Sequence, residues 1–417
     1  NKLEFQEPPT LFQLSSITLN PEPIEIDVKV ILIGSQHIYS LLTGYEYDFK
    51  KMFKVKADFD YEIKRSDKVI TEYARVNKKL IKEEGLKEFD KSAIAHLLEI
   101  AAVFAGQKAK LTTRFSKIAD LAREANFWAT DDGFDIVSAA HVDKAYKSAV
   151  NRHGMLESKI SEMYEDGTLL MDTKGERIGQ VNGLAVYEAD FYAFGRPARI
   201  TATVSLGSGN IINVEREAGM SGRYLTKGVL IISGYFKETF GQDIPLAFNA
   251  NLVFEQSYGM VDGDSASCAE IFALLSTLSG LPLKQGIAVT GSLNQKGDVQ
   301  PIGGVNEKIE GFFEICKDHG LTGKQGVVIP IQNVKELMLK DEVDRAVSEK
   351  QFHIYPITRV EEGIEILTGI KAGDKTAKGY TKNSVFDLVE QKLKEMYKKS
   401  RSLKNDEPKA PKRKKRK

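Results

Sequence analysis

Apolar positions recur through most of this chain, and their spacing changes character from one region to the next. Ile26–Ile33 reads IDVKVILI, an unbroken β-rich run closed by Gly34, and predicts a buried parallel strand. From Ser66 the spacing turns helical: Val69, Ile70, Tyr73, Val76, Leu80 and Ile81 share one face, and Gly85 supplies a stop. Asp90 stands where an N-cap belongs, ahead of a helix carrying Ile94, Leu97, Leu98, Ala101 and Phe104 and closed by Gly106. A third helix holds Phe115, Ile118, Leu121, Ala122 and Ala125, and a fourth is expected from about Ser138 to Glu165. Residues 60–165 therefore read as a small all-helical domain.

After Gly167 the period shortens. Leu169–Ile178 predicts a hairpin, and Ile200-Thr201-Ala202-Thr203-Val204 alternates as a half-buried strand does. Further strands are expected at about 246–255, 286–292, 326–329 and 352–356, with helices at 226–240, 265–279, 304–318 and 359–368, which makes an α+β domain. Lys371 to Asn383 reads as a polar linker. Ser384 and Asp387 then form a capping-box signal for a helix whose apolar stripe (Val385, Phe386, Leu388, Val389, Leu393, Met396, Tyr397) requires a partner surface.

Length and charge narrow the picture. A chain of 417 residues with 42% hydrophobic content has room for several domains with ordinary cores, which excludes a wholly disordered or fibrous protein. The net charge is +1, but residues 401–417 carry +7, so the rest carries −6. An acidic body is a poor fit to nucleic-acid binding as the main activity; the basic tail reads as solvated and disordered, with weak nucleic-acid contact as its alternative use. Cys268 and Cys316 are too few for a disulfide framework, and the six histidines form no HExxH pair, so no metal site is expected and a reducing cytoplasm is the natural home. No apolar run reaches the roughly 18 residues of a membrane span, and the chain starts at Asn1 without a secretory-signal pattern.

Val261-Asp262-Gly263-Asp264-Ser265-Ala266-Ser267 joins a strand to a helix through a turn of small residues, a place that exposes a hydroxyl beside unpaired backbone N–H groups. Ser265 is there either a nucleophile or simply an N-cap. Downstream, Gly286–Leu293 leads to Pro301-Ile302-Gly303-Gly304-Val305-Asn306-Glu307-Lys308, a second glycine-led helix start that carries a lysine. No histidine lies in a triad-like motif. A lysine can replace it as base if burial strips its charge, though by spacing alone Lys308 reads as a surface helix residue.

The segments DGDSAS and AVTGSLNQKGDVQPIGGVNEKIEG resemble the proteolytic domain of the Lon family, in its B-type, archaeal-like branch. Val181–Tyr187 and Glu215–Gly219 also resemble that domain's entry and early strand. The resemblance implies an α+β fold in which an all-helical AAA+ lid precedes a Lon-type proteolytic domain. Its boundaries would be a remnant of the AAA+ core at 1–60, the lid at 61–165, the proteolytic domain at 166–370, a linker and amphipathic helix at 371–400, and the basic tail at 401–417. It implies a serine endopeptidase with Ser265 as nucleophile, Lys308 as general base and Thr290 orienting the amine. Asp262 and Asp264 match acidic positions of the B branch, and a carboxylate beside Lys308 would oppose its work as a base.

Arg114 stands where the lid's phosphate-sensing arginine is expected, with a solvent-facing arginine at a helix start as the other reading. The resemblance further implies unfolded polypeptide substrates, a homo-oligomer of hexameric form and ATP with Mg for the complete protein. No G-x-x-x-x-G-K-[ST] loop occurs in the chain, so independent ATP hydrolysis is not expected of it. Two other readings share these residues: a catalytically silent assembly subunit, and a peptidase that works without ATP.

Overall fold

The computed structural model describes residues 2–3, 22–189, 191–377 and 379–406, and residues 1–60 and 61–417 form two separate units. In the first unit, helix α1 (Gln36–Tyr45) starts at Ser35, whose side chain accepts from the Ile38 amide. The expected strand at Ile26–Ile33 is not formed: the stretch has no ladder partner among the described residues and its apolar side chains from Val28 onward are exposed, Ile33 by 97%. A parallel strand depends on flanking strands, and the only described pairing in this unit joins Lys2–Leu3 to Ile24–Glu25.

The second unit begins with helices whose ends follow their caps. α2 (Asp67–Glu83) starts at Ser66, and α3 (Lys91–Ala105) starts at Asp90 and ends at Gly106 in the left-handed conformation. α4 (Phe115–Asp131) follows, and then, in place of one long helix over 138–165, come α5 (Ala139–His153) and α6 (Met155–Glu165), broken at Gly154. Glycine is the weakest interior helix former after proline, which explains a break at that residue. Tyr73, Leu97, Ile100, Ile118, Leu121 and Val142 bury the core of these helices.

Beyond them stands one seven-stranded mixed sheet. Its strands are β1 (Gln180–Glu188), β2 (Ala193–Leu206), β3 (Asn210–Asn213), β4 (Phe248–Phe254), β5 (Ile287–Val289), β6 (Gln325–Pro330) and β7 (Phe352–Ile357), in the order β3-β4-β2-β1-β5-β6-β7. β5, β6, β7 and the β1–β5 pair are parallel, whereas β2 runs antiparallel to both β1 and β4. The hairpin expected over 169–178 is absent; Glu176–Arg177 pairs instead with Leu283–Lys284, a partner distant in sequence.

The helices of this region are α7 (Arg223–Phe240), α8 (Ser267–Ser279), α9 (Val305–Asp318), α10 (Val360–Thr368) and α11 (Val385–Asp406). Neighbouring residues of one strand enter different cores: Val289 and Val328 join α8, while Ala288 and Val327 join Phe312 and Phe313 of α9. Because successive strand residues face opposite ways, α8 and α9 lie on opposite faces of the sheet. The stripe of α11 finds its partner within the chain, with Val385, Phe386, Val389 and Leu393 buried in the α8 core, and the helix continues past 400 to Asp406. The 371–383 segment is tied down as well: Tyr380 packs on Phe240 and Phe386 and donates to the Thr239 carbonyl at 3.0 Å. Residues 407–417, most of the expected tail, lie outside the described residues. No helix among the described residues is long and apolar enough to cross a membrane.

Candidate active site

Ser265 sits in the turn that enters α8, the helix buried on all sides. The turn is made possible by Gly263, whose φ of +110° is closed to side-chain-bearing residues. Two contacts anchor its backbone to the end of β5: the Ser265 carbonyl accepts from the Gly291 amide at 2.7 Å and from Thr290 Oγ1 at 3.2 Å. The Cys268 amide returns to the Gly291 carbonyl at 3.0 Å. The amides of Ser265 and Ala266 bond no acceptor among the described residues, which leaves two donors at the head of α8.

Lys308 approaches from the other face of the sheet. It lies in the first turns of α9, and what sets its depth is a backbone-to-backbone crossing with β2. A Cβ on Gly195 would overlap the Glu307 carbonyl oxygen and come within 2.7 Å of Lys308 Cα, and a Cβ on Gly311 would overlap the Gly195 carbonyl. Upstream, Asn333 holds the loop before α9 by exchanging hydrogen bonds with the Ile302 amide and carbonyl at 3.0 and 2.8 Å.

Over the carboxyl end of β5 the two helices meet. Lys308 Nζ is 2.9 Å from Ser265 Oγ and 3.1 Å from Thr290 Oγ1, and the lysine is only 3% exposed. Burial pulls its ammonium down to about 8, against the nearby Glu307 and Asp264 carboxylates, which push the other way. The opposition expected from an acidic neighbour is therefore present and is outweighed by desolvation. Thr290 Oγ1 donates its proton to the Ser265 carbonyl and so offers Lys308 only a lone pair. A neutral amine in this place gives one N–H to Thr290 and turns its own lone pair to the Ser265 hydroxyl.

The remaining candidates make their hydrogen bonds and ring contacts with other partners. The Asp262 carboxylate accepts from the amides of Tyr224, Leu225 and Gly263 at 2.8–3.1 Å, which holds it below its usual pKa and ties the Ser265 turn to the start of α7. It is thus a clamp on the loop rather than a partner of Lys308. Asp264 accepts a 2.9 Å hydrogen bond from Ser292 Oγ and makes no ion pair with Lys308 among the described residues. Arg114, at the head of α4, lies over the Tyr61 ring at 5.3 Å. A cleft of about 1380 Å³ between the helical region and α9 includes Arg114 and Glu307 but neither Ser265 nor Lys308. The histidines at 96, 141, 319 and 353 bond Glu99, Ser138, Thr173 and the Gly323 carbonyl.

Sequence reasoning missed Ser292, Gly195 and Gly311. Gly311 had left a signal, a glycine inside an otherwise helical pattern. Ser292 had none, because its partner is 28 residues away.

Three family descriptions match successive parts of the sequence: a LonB-like AAA domain at residues 1–60, the AAA+ ATPase lid domain of archaeal LonB at 88–152, and the Lon protease (S16) C-terminal proteolytic domain at 257–368. A putative Lon protease homolog of Escherichia coli (strain K12) is 34% identical over 348 residues, 83% of this chain and 59% of that protein. A putative Lon protease homolog of Haemophilus influenzae is 32% identical over 375 residues, 88% of this chain and 61% of that protein. An archaeal Lon protease of Archaeoglobus fulgidus is 32% identical over 291 residues, 70% of this chain and 44% of that protein. The chain thus spans about three-fifths or less of the length of these relatives.

Proposed function

The chain belongs to the Lon protease family, and from that membership we propose that it is a serine-type endopeptidase working through a Ser265–Lys308 dyad. The observation that carries the reading is the 2.9 Å contact between a buried, easily deprotonated amine and a hydroxyl at the head of a helix. Ser265 Oγ attacks the scissile carbonyl carbon while Lys308 Nζ accepts its proton. The oxyanion is received by the Ser265 and Ala266 amides, donors of a kind typically worth about 3 kcal/mol each in the transition state. The Lys308 ammonium then protonates the leaving amine, and water, deprotonated by the same lysine, clears the acyl-enzyme. Thr290 keeps the amine from rotating away from the hydroxyl.

The substrate class we propose is unfolded polypeptide, bound extended and held by main-chain hydrogen bonds, which tolerates many sequences. A hexameric ring enclosing the sites would restrict entry to such chains, and the cytoplasm is its proposed location. The AAA+ family matches point to nucleotide binding; this sequence holds no G-x-x-x-x-G-K-[ST] loop, and the Arg114 guanidinium lies over the Tyr61 ring. No step of the chemistry runs through ATP, which enters the proposal only where the chain is joined to a complete AAA+ module.

Turnover of a fluorogenic peptide by this chain tests the reading. Ser265→Ala and Lys308→Ala should each reduce it by about a thousandfold or more. The rate should rise with pH through a limb near 8, because the neutral lysine is the active form. Undiminished turnover in either variant would refute the dyad.

A further inference from the structure

Two carboxylates oppose the deprotonation of Lys308, and they are held in different ways. Its amine bonds Ser265 from the turn before α8 and Thr290 from the end of β5, and the charges that act on it are the carboxylates of Asp264, in that same turn, and Glu307, on α9 itself. Glu307 is fixed by its place on the same helix, on the side that lines the cleft toward the helical region. Asp264 sits in a turn next to the nucleophile, where a side-chain rotation is enough to change its distance from the amine. What restrains it is the 2.9 Å hydrogen bond donated by Ser292 Oγ. Ser292 is itself well placed for this: it is 3% exposed, its carbonyl accepts from Cys268 Sγ at 3.7 Å, and it heads the short strand Ser292–Leu293 that pairs with Val299–Gln300.

We infer that Ser292 is a positioning residue that holds the Asp264 carboxylate away from Lys308, and that losing its hydroxyl releases the carboxylate toward the amine. The inference rests on Lys308 acting as the base. Ser292 never touches the reacting atoms; it acts through Asp264 on the protonation of the lysine. A released carboxylate stabilises the ammonium, so the base is charged over a wider pH range and the enzyme needs a higher pH to work.

The test is a set of pH–rate profiles for peptide turnover by the full chain in four forms: unaltered, Ser292→Ala, Asp264→Asn, and the double variant. Ser292→Ala should move the acid limb upward by about one pH unit, slowing turnover about tenfold near neutral pH while leaving the alkaline plateau nearly intact. Asp264→Asn should move the limb slightly downward, and in that background Ser292→Ala should no longer shift it. If the limb stays in place in Ser292→Ala, or moves equally in both backgrounds, the inference is overturned. A uniform fall in rate at every pH, the mark of a packing role alone, overturns it too. Turnover that survives Lys308→Ala would remove the dyad and this inference together, whereas an unshifted limb in a lysine-dependent enzyme removes this inference alone.

Discussion

The helical region and the sheet-bearing region bury polar groups by opposite rules. Among the helices no Asp, Glu, Lys or Arg of the described residues is buried, and the buried polar side chains are hydrogen-bonded: Tyr73 donates to the Thr112 carbonyl at 2.9 Å, Asn77 to the Tyr73 carbonyl at 3.0 Å, and His141 accepts from the Ser138 amide at 3.0 Å. Ion pairs such as Arg152–Glu124 and Lys144–Asp132 stay near the surface, where each contributes little. In the sheet-bearing region Lys308, Glu215, Glu270 and Arg196 are all buried. Arg196 is paired with Glu157 and Glu314 at 3.2 and 3.0 Å, but neither oxygen of Glu270 has a partner in the described structure, and burial, helped by Glu215, pushes its carboxyl up to about 8. A buried ionisable group lowers stability, so a region that keeps several has been shaped by more than stability. The helical region keeps its charges near the surface; the other region buries several ionisable groups, the Lys308 amine among them.

That contrast can be broken, and the largest expected effect comes from its most crowded point. Gly311→Ala must push α9 off β2 and carry Lys308 with it; displacement on the order of 1 Å predicts about a hundredfold loss of peptide turnover. Overpacking should also destabilise the chain by about 1–3 kcal/mol, read in a denaturant melt. A variant as active as the original would show that the crossing does not set the position of the lysine.

A smaller effect is expected from Glu270→Gln. Because the folded-state pKa of this carboxyl is raised, the original chain loses stability as pH rises from the ordinary glutamate range toward about 8, and the amide removes that loss. The variant should be more stable by about 2–3 kcal/mol near neutral pH and show no such gain near pH 4. Equal denaturant midpoints at both pH values would mean that Glu270 carries no stored cost. The smallest effect belongs to the helical region: Asp90→Ala deletes the cap that accepts from the Ala93 amide at 2.8 Å, and should cost about 1 kcal/mol without changing the pH profile of turnover.

What could be read in advance follows the same division. The caps at Ser66 and Asp90 and the stop at Gly106 act within a few residues of where they stand, and the helices begin and end there. Ser265 and Lys308 were identifiable because the motifs around them are distinctive, and the structure brings them together with Thr290. Arg114 and Asp262 were singled out in the same way; Arg114 lies over the Tyr61 ring and Asp262 bonds the start of α7. Pattern alone misassigned Ile26–Ile33, since an apolar β-rich run is a strand only when other strands flank it.

The amino-acid order by itself determined the helical segments, the apolar stripe of α11, the two glycine-led helix starts and the residue types capable of acyl transfer. Each of these depends on neighbours within a turn or two of chain. Only the tertiary structure decided that α8 and α9 lie on opposite faces of one sheet, that Gly195 and Gly311 let β2 and α9 touch, and that Ser292 meets Asp264. Those choices arise from packing between segments far apart in sequence, and it is the desolvation produced by that packing, absent from any local pattern, that pulls the Lys308 ammonium down to about 8.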